Sequence, residues 1–157
     1  FGSLLVAAGC AYFGQFNYSN GALAVYTMKV AAGKCAIPFG NGVVLGFLCN
    51  FLVSLGVLLA ISAKDNTGRI LGAFLPVCYF VLSGYEHCVA NMYYIPAGLM
   101  AKTVPAYAQA AAEAGLDLSN LTLYNFLITN LIPVTIGNIL GGCTLGWMVW
   151  FCFLRKK

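Results

Sequence analysis

The sequence predicts an all-α integral membrane bundle containing one interrupted transmembrane helix, and three observations carry that prediction. Of 157 residues, 61% are hydrophobic and only 8% are charged, and the mean hydropathy is +0.87. A soluble domain carries roughly a quarter charged residues, so this chain cannot coat a globule with charge and its solvent must be largely lipid. Four segments approach the ~20 apolar residues needed to cross a ~30 Å hydrocarbon core, and one of them is overlong and broken by proline and glycine.

The first segment, about 1–16, opens inside an apolar run with neither an initiator Met nor a basic stretch. It reads as a truncated span rather than a signal peptide, and the chain 1–157 as a fragment forming a single membrane domain. A polar connection begins at 17–20 and continues to Lys34. The second span runs over about 37–63 and ends in the hydrophilic turn KDNTGR (64–69). The third covers about 70–101. Lys102 to Thr122 forms a connection with Glu113 and Asp117 in an Ala-rich stretch suited to a short surface helix, and the fourth span covers about 123–154.

Lys64, Arg69, Arg155, Lys156 and Lys157 fall on one side of this topology, and Lys29, Lys34 and Lys102 on the other. That bias predicts a cytoplasmic C-terminus. The net charge of +4 is small and scattered over ends and loops, so it speaks for orientation and against a nucleic-acid partner. Gly42 with Gly46, Gly137 with Gly141, and Gly142 with Gly146 repeat the four-residue spacing that lets helix backbones approach in a bilayer. A narrow pore lining would use the same residues.

The seven cysteines form no CxxC pair and read as small buried hydrophobes. With a single His, no metal site is expected, and no cofactor. GxSxG, HExxH, GxxxxGK[ST] and GxGxxG are all absent, so no catalytic residues and no enzyme are expected.

The chemistry concentrates in the third span, ILGAFLPVCYFVLSGYEHCVANMYYIPAGLM, about 32 residues with Pro76, Gly84 and Pro96. Irregular backbone at membrane depth persists only where protein buries it or it lines a cavity, and ionisable residues there are functional candidates. The span therefore reads as two half-helices joined by a loop near 83–90, a device that aims helix ends at a solute. His87, the only histidine, lies in that loop and can exchange a proton near neutrality. Glu86 points to a different side from His87 on a regular backbone and reads as a structural anchor.

Other candidates keep two readings each. Lys34 is either an interfacial Lys that snorkels to the headgroups or a buried cation that attracts anions. Asn50 and Asn91 either tie helices together or present an amide to a solute. Phe80 either packs in the core or forms an apolar constriction in a permeation path.

The runs SGYEHCVANMYYIPAGL (83–99) and NLIPVTIGNILGG (130–142) closely resemble the formate/nitrite transporter family. Lys34, Asn50, His87 and Asn91 resemble in spacing that family's central Lys, pore Asn, pore His and following Asn. The resemblance covers essentially the whole chain, as the last four of six family spans. It implies a homopentamer of aquaporin-like protomers in the cytoplasmic membrane, each passing small monovalent anions such as formate, nitrite or hydrosulfide, often with a proton. It also implies that His87 protonates or stabilises the permeant, that Lys34 draws the anion in, and that Phe80 contributes to a constriction. The family's first two spans, with the loop opposite the His, have no counterpart here. A membrane subunit that supports or senses without transporting is the competing class.

Overall fold

In the computed structural model, residues 1–155 are described; Lys156 and Lys157, both used in the orientation count, lie outside the described residues. The described residues form helices α1 (Gly2–Tyr12), α2 (Ala22–Cys35), α3 (Phe39–Ser62), α4 (Asn66–Leu82), α5 (Cys88–Lys102), α6 (Pro105–Glu113) and α7 (Ile132–Val149). A π-helical stretch, Asn125–Leu131, runs directly into α7, and a second, Trp150–Leu154, extends it. Two of these helical runs, Phe39–Ser62 and Asn125–Phe153, are long and apolar enough to cross a membrane.

The stretch expected to be a connection before Lys34 is instead helix α2. Lys29, Gly33 and Lys34 obscure its pattern, yet Ala22, Ala24, Ala31 and Ala32 favour helix, and Ala24, Met28, Ala31 and Cys35 form one buried stripe. The first helix is correspondingly shorter than the 1–16 span read from hydropathy. Left-handed backbone at Gly14, Ser19, Asn20 and Gly21 turns the chain between α1 and α2.

The chain divides into two compact units. The first comprises Phe1–Phe39 and Cys88–Ile132, with α2 packed on α5 and α1 beside α5. Its core is built of small side chains, Ala7, Ala11, Ala24, Ala31, Ala97, Ala101 and Ala111, around Met28 and Ile95. Gly98 lets α5 lie against α2: a methyl there would collide with Ala31 Cβ and stand 3.4 Å from the Thr27 carbonyl oxygen. Beyond α5, Lys102 Nζ donates to the carbonyls of Leu118 (2.9 Å) and Leu121 (3.1 Å), folding the connection back on the helix end. Lys102 is therefore a structural cation as well as a member of the charge count.

The second unit comprises Gly40–His87 and the chain from Pro133 onward. Asp65 caps α4 by accepting from the Gly68 N–H at 2.8 Å. Gly56 of α3 faces the Ala73 carbonyl and Gly72 of α4 faces Leu59, so the helical hairpin closes on a glycine pair. Helices α3 and α7 approach even more closely: a methyl on Gly137 would run into the Val43 carbonyl, and one on Gly141 into that of Phe47. Gly42 abuts Pro133. Of the predicted pair Gly142 and Gly146, only Gly142 lies near α3, because a methyl on Gly146 would meet nothing.

Candidate functional site

The third apolar run is interrupted as the proline and glycine spacing predicts, at residues 83–87 between α4 and α5. Helix α4 ends in a Schellman-type turn, with Gly84 at φ +69 and the Tyr85 N–H donating to the Phe80 carbonyl at 3.0 Å. Only glycine adopts that conformation without strain. The chain then runs non-helically through Tyr85, Glu86 and His87 before α5 starts at Cys88.

Within the second unit this loop is anchored on both sides. The Glu86 N–H donates to the Leu45 carbonyl of α3 (3.4 Å), and the Glu86 carbonyl accepts from Asn138 Nδ2 of α7 (3.0 Å). The same Asn138 amide also donates to the Gly46 carbonyl at 2.8 Å. Asn138 and Glu86 are 4% and 3% exposed, so this is a buried polar clamp. Asn50 Nδ2 donates to the Asn138 carbonyl at 2.7 Å. Its amide group thus ties α3 to α7, the first of the two roles open to it. His87, half-buried, stacks on Phe80 with ring centroids 5.9 Å apart and planes at 23°. Phe80 thereby packs against the end of the break it precedes.

The first unit holds the remaining candidates. Asn91, fully buried in the first turn of α5, donates through Nδ2 to Asn130 Oδ1 at 2.7 Å. Asn130 Nδ2 in turn donates to the Lys34 carbonyl at 2.9 Å. This side-chain relay links α5, the π-helical stretch and the last turn of α2. Widening to a π-helix changes which residues face inward and is frequent at functional sites; Asn130 lies within it. The Lys34 side chain is half-buried, and its Nζ stands 5.7 Å from the Tyr94 ring centroid, over the ring. Lys34 is thus both backbone acceptor and aromatic-backed cation.

The five predicted residues therefore sort as His87, Phe80 and Asn50 in one unit and Lys34 and Asn91 in the other. Sequence reasoning missed Asn130, Asn138 and Tyr94 as organising residues. Both asparagines stand in an apolar run and were visible as buried polar groups needing partners, but nothing in the sequence named those partners. Outside the spans, the Ser119 backbone N–H, 2.8 Å from Asp117, holds that carboxyl below the usual carboxylate range.

Comparison with known proteins adds three findings. The formate/nitrite transporter family matches over residues 1–152. Formate channel FocA of Escherichia coli is 37% identical over 147 residues, 92% of this chain and 52% of the relative; a probable formate transporter of Methanothermobacter thermautotrophicus is 35% identical over 130 residues, 81% of this chain and 41% of the relative. The chain thus spans about half the length of the curated relatives it matches. Among solved structures, a pentameric formate channel with formate bound superposes with a TM-score of 0.85 at 34% identity, covering 98% of this chain and 62% of that one. An ion channel of the same family superposes with a TM-score of 0.71 at 28% identity, over 96% of this chain and 53% of that one.

Proposed function

The chain belongs to the formate/nitrite transporter family, and from that premise we propose that the protein is a channel or transporter for small monovalent anions in the cytoplasmic membrane. Formate is the first candidate substrate, ahead of nitrite and hydrosulfide, because the relatives carry formate in their names and a matched structure holds it. In this reading the assembly is a homopentamer of aquaporin-like protomers within the lipid bilayer, with a cytoplasmic C-terminus, and it performs no enzymatic reaction.

The observation that carries the reading is the break at 83–87 with His87 at its end, stacked on Phe80. An anion in an apolar passage loses its hydration at steep cost. A weak acid lowers that cost by taking a proton and crossing the narrowest part as a neutral molecule. Lys34 favours arrival of the anion by Coulomb attraction, and His87, placed before the first turn of α5, supplies or rearranges the proton there. The α5 N-terminus adds its partial positive charge to the same end. Phe80 narrows the passage, while Asn50 ties α3 to α7 and Asn91 ties α5 to the π-helical stretch.

The test is formate uptake by proteoliposomes containing the full-length protein. We expect His87→Ala to change the pH dependence of uptake while assembly is retained; an unaltered pH profile in an assembled variant removes His87 from the mechanism. Lys34→Leu should weaken uptake of the anion, and wild-type flux would return Lys34 to an interfacial role. Absence of solute-driven swelling with formate, nitrite and hydrosulfide alike would instead favour a non-transporting supporting or sensing subunit.

A further inference from the structure

The pair Gly142 and Gly146 is only half used by the packing of α7 on α3. A methyl on Gly142 would stand 3.1 Å from Asn50 Nδ2 and 3.4 Å from Ser54 Oγ, whereas one on Gly146 would meet nothing within 4 Å. Past Gly142 a groove of about 330 Å³ opens, lined by Ser54, Val57 and Ile61 of α3 and by Leu145, Gly146 and Val149 of α7. At 1.5 Å rise per residue it runs roughly 10 Å along both helices. Val57 and Ile61 are 55% and 75% exposed, so the groove is open rather than enclosed.

Both walls lead to cations at the same end. The helices run parallel, since Gly46 meets Asn138 while Ile61 shares the groove with Val149. Just beyond Ile61, Arg69 Nε donates to the Ala63 carbonyl at 3.4 Å, which brings its guanidinium back onto the end of α3. Asp65, the acid of that turn, is engaged by the Gly68 N–H at 2.8 Å, and Lys64 is exposed. Beyond Val149 the π-helical stretch carries the other wall to Arg155, whose N–H donates to the Trp150 carbonyl at 2.8 Å. The Arg155 guanidinium lies over the Phe151 ring, 5.3 Å from its centroid, and Phe151 stacks on Trp147 at 5.5 Å. Trp147 and Trp150 are both exposed, and indoles at such a place sit at headgroup level. Read outward, the surface runs from apolar trough through aromatic rings to guanidinium groups, the order in which a phospholipid runs from acyl chain to phosphate.

We propose that this groove binds one anionic phospholipid, with an acyl chain between α3 and α7 and the phosphate held by Arg69 and Arg155. Hydrophobicity does not drive a chain out of a bilayer into a groove. Dispersion contacts fill the trough, and the charge at its mouth selects the lipid. A docked helix would cover Val57 and Ile61 but would give no reason for a guanidinium beyond each wall. The inference needs only that the chain spans a bilayer, so it stands apart from which anion permeates.

The full-length protein is stripped of lipid in detergent and titrated with phosphatidylglycerol, and in parallel with phosphatidylcholine of the same chains, with bound lipids counted by native mass spectrometry. Phosphatidylglycerol should fill a class of one site per protomer well before phosphatidylcholine does. Arg69→Gln and Arg155→Gln should each weaken that class about fivefold, the share of one basic residue at an anionic surface, with phosphatidylcholine unaffected. Gly146→Leu, which fills the trough, should remove the class while the assembled protein elutes as wild type does. Equal binding of the two lipids by wild type overturns the proposal, as does an intact phosphatidylglycerol class in Gly146→Leu. A folded Gly146→Leu that elutes as separated protomers puts a protein segment in the groove and overturns it too. If Gly146→Leu does not fold, Arg155→Gln decides, because its side chain is exposed; unchanged phosphatidylglycerol affinity there overturns the site. Each of these failures leaves the proposed function standing.

Discussion

Each of the two units uses one buried asparagine from the C-terminal helical run to hold a place where a helix stops, but the partners differ in kind. In the first unit Asn130 accepts from the Asn91 side chain and donates to the Lys34 carbonyl at the end of α2. In the second, Asn138 donates to two main-chain carbonyls, Glu86 in the break and Gly46 on α3. The glycine contacts divide the same way. Gly98 meets another side chain, Ala31, whereas Gly137 and Gly141 meet the carbonyls of Val43 and Phe47. Asn91 with Asn130 and Gly98 with Ala31 are fitted side chain to side chain, whereas Asn138, Gly137 and Gly141 are fitted side chain to backbone. Mismatches of the first kind can be repaired by changing the partner; those of the second kind cannot.

The largest expected effect tests that division directly. Gly137→Ala drives a methyl into the Val43 carbonyl and to within 2.8 Å of the Phe47 nitrogen, so α3 and α7 must part. We expect a loss of about 3 kcal/mol or more, read as failure of the detergent-solubilised protein to elute as an assembled species. Gly98→Ala should lose about 1–3 kcal/mol, and Ala31→Gly should restore most of it by clearing the obstructing methyl. Failure of that rescue would erase the contrast.

The asparagines come next. Asn138→Leu removes a donor from two buried carbonyls, and each buried bond in a bilayer protein is worth about 0.6–2 kcal/mol. We expect a drop in apparent melting temperature that no second-site side-chain change recovers. Asn130→Leu should lose a similar amount, yet Asn91→Leu in the same chain should return part of it, because removing both partners of a hydrogen bond is less harmful than stranding one. Equal, non-additive recovery in both units would break the comparison.

How much of this was legible beforehand follows from the same distinction. The break at 83–87 stood out because Pro76, Gly84, Glu86 and His87 are conspicuous inside an apolar run. That α3 and α7 pack closely on neighbours was readable from Gly42, Gly46, Gly137 and Gly141, although a narrow pore lining would use the same spacing and the pairing of α3 with α7 came only from the structure. Gly56 was not, because no glycine stands four residues from it on α3, and Gly72, although four residues after Gly68, gives no sign of its partner until the hairpin brings it to Leu59. Helix α2 was hidden because Lys29, Gly33 and Lys34 interrupt its apolar pattern and its buried stripe mixes Ala24 and Ala31 with Thr27, Met28 and Cys35. Asn130 and Asn138 could be seen to need partners but not which ones, since a side-chain amide serves a neighbouring amide and a backbone carbonyl equally.

The break itself offers a smaller and more local test. Gly84 has φ +69 with nothing within 4 Å of an added methyl, so any penalty there is conformational rather than steric. Gly84→Ala should lose about 1–2 kcal/mol, and Gly84→Asn less, because Asn tolerates left-handed backbone. If both variants melt like wild type, the turn is not what holds α4 to its length, and the Asn138 clamp alone defines the break.

The smallest effect lies where the contrast between the units is weakest, in the connection after α6. Here the first unit also relies on backbone acceptors, since Lys102 Nζ holds the carbonyls of Leu118 and Leu121. Asp117, fully exposed, adds a local turn through the Ser119 N–H, which holds its carboxyl below the usual range. A carboxyl with a lowered folded-state pKa contributes above its unfolded pKa and loses that contribution as pH falls through the folded one. Melting should therefore be flat from neutral to mildly acidic pH, with any Asp117-dependent loss confined to the acid end and abolished in Asp117→Asn. Lys102→Met should lower the melting temperature more than Asp117→Asn at neutral pH, because it strips a cation from two carbonyls rather than one exposed turn. The reverse order would mean that the turn, not the lysine, closes the connection.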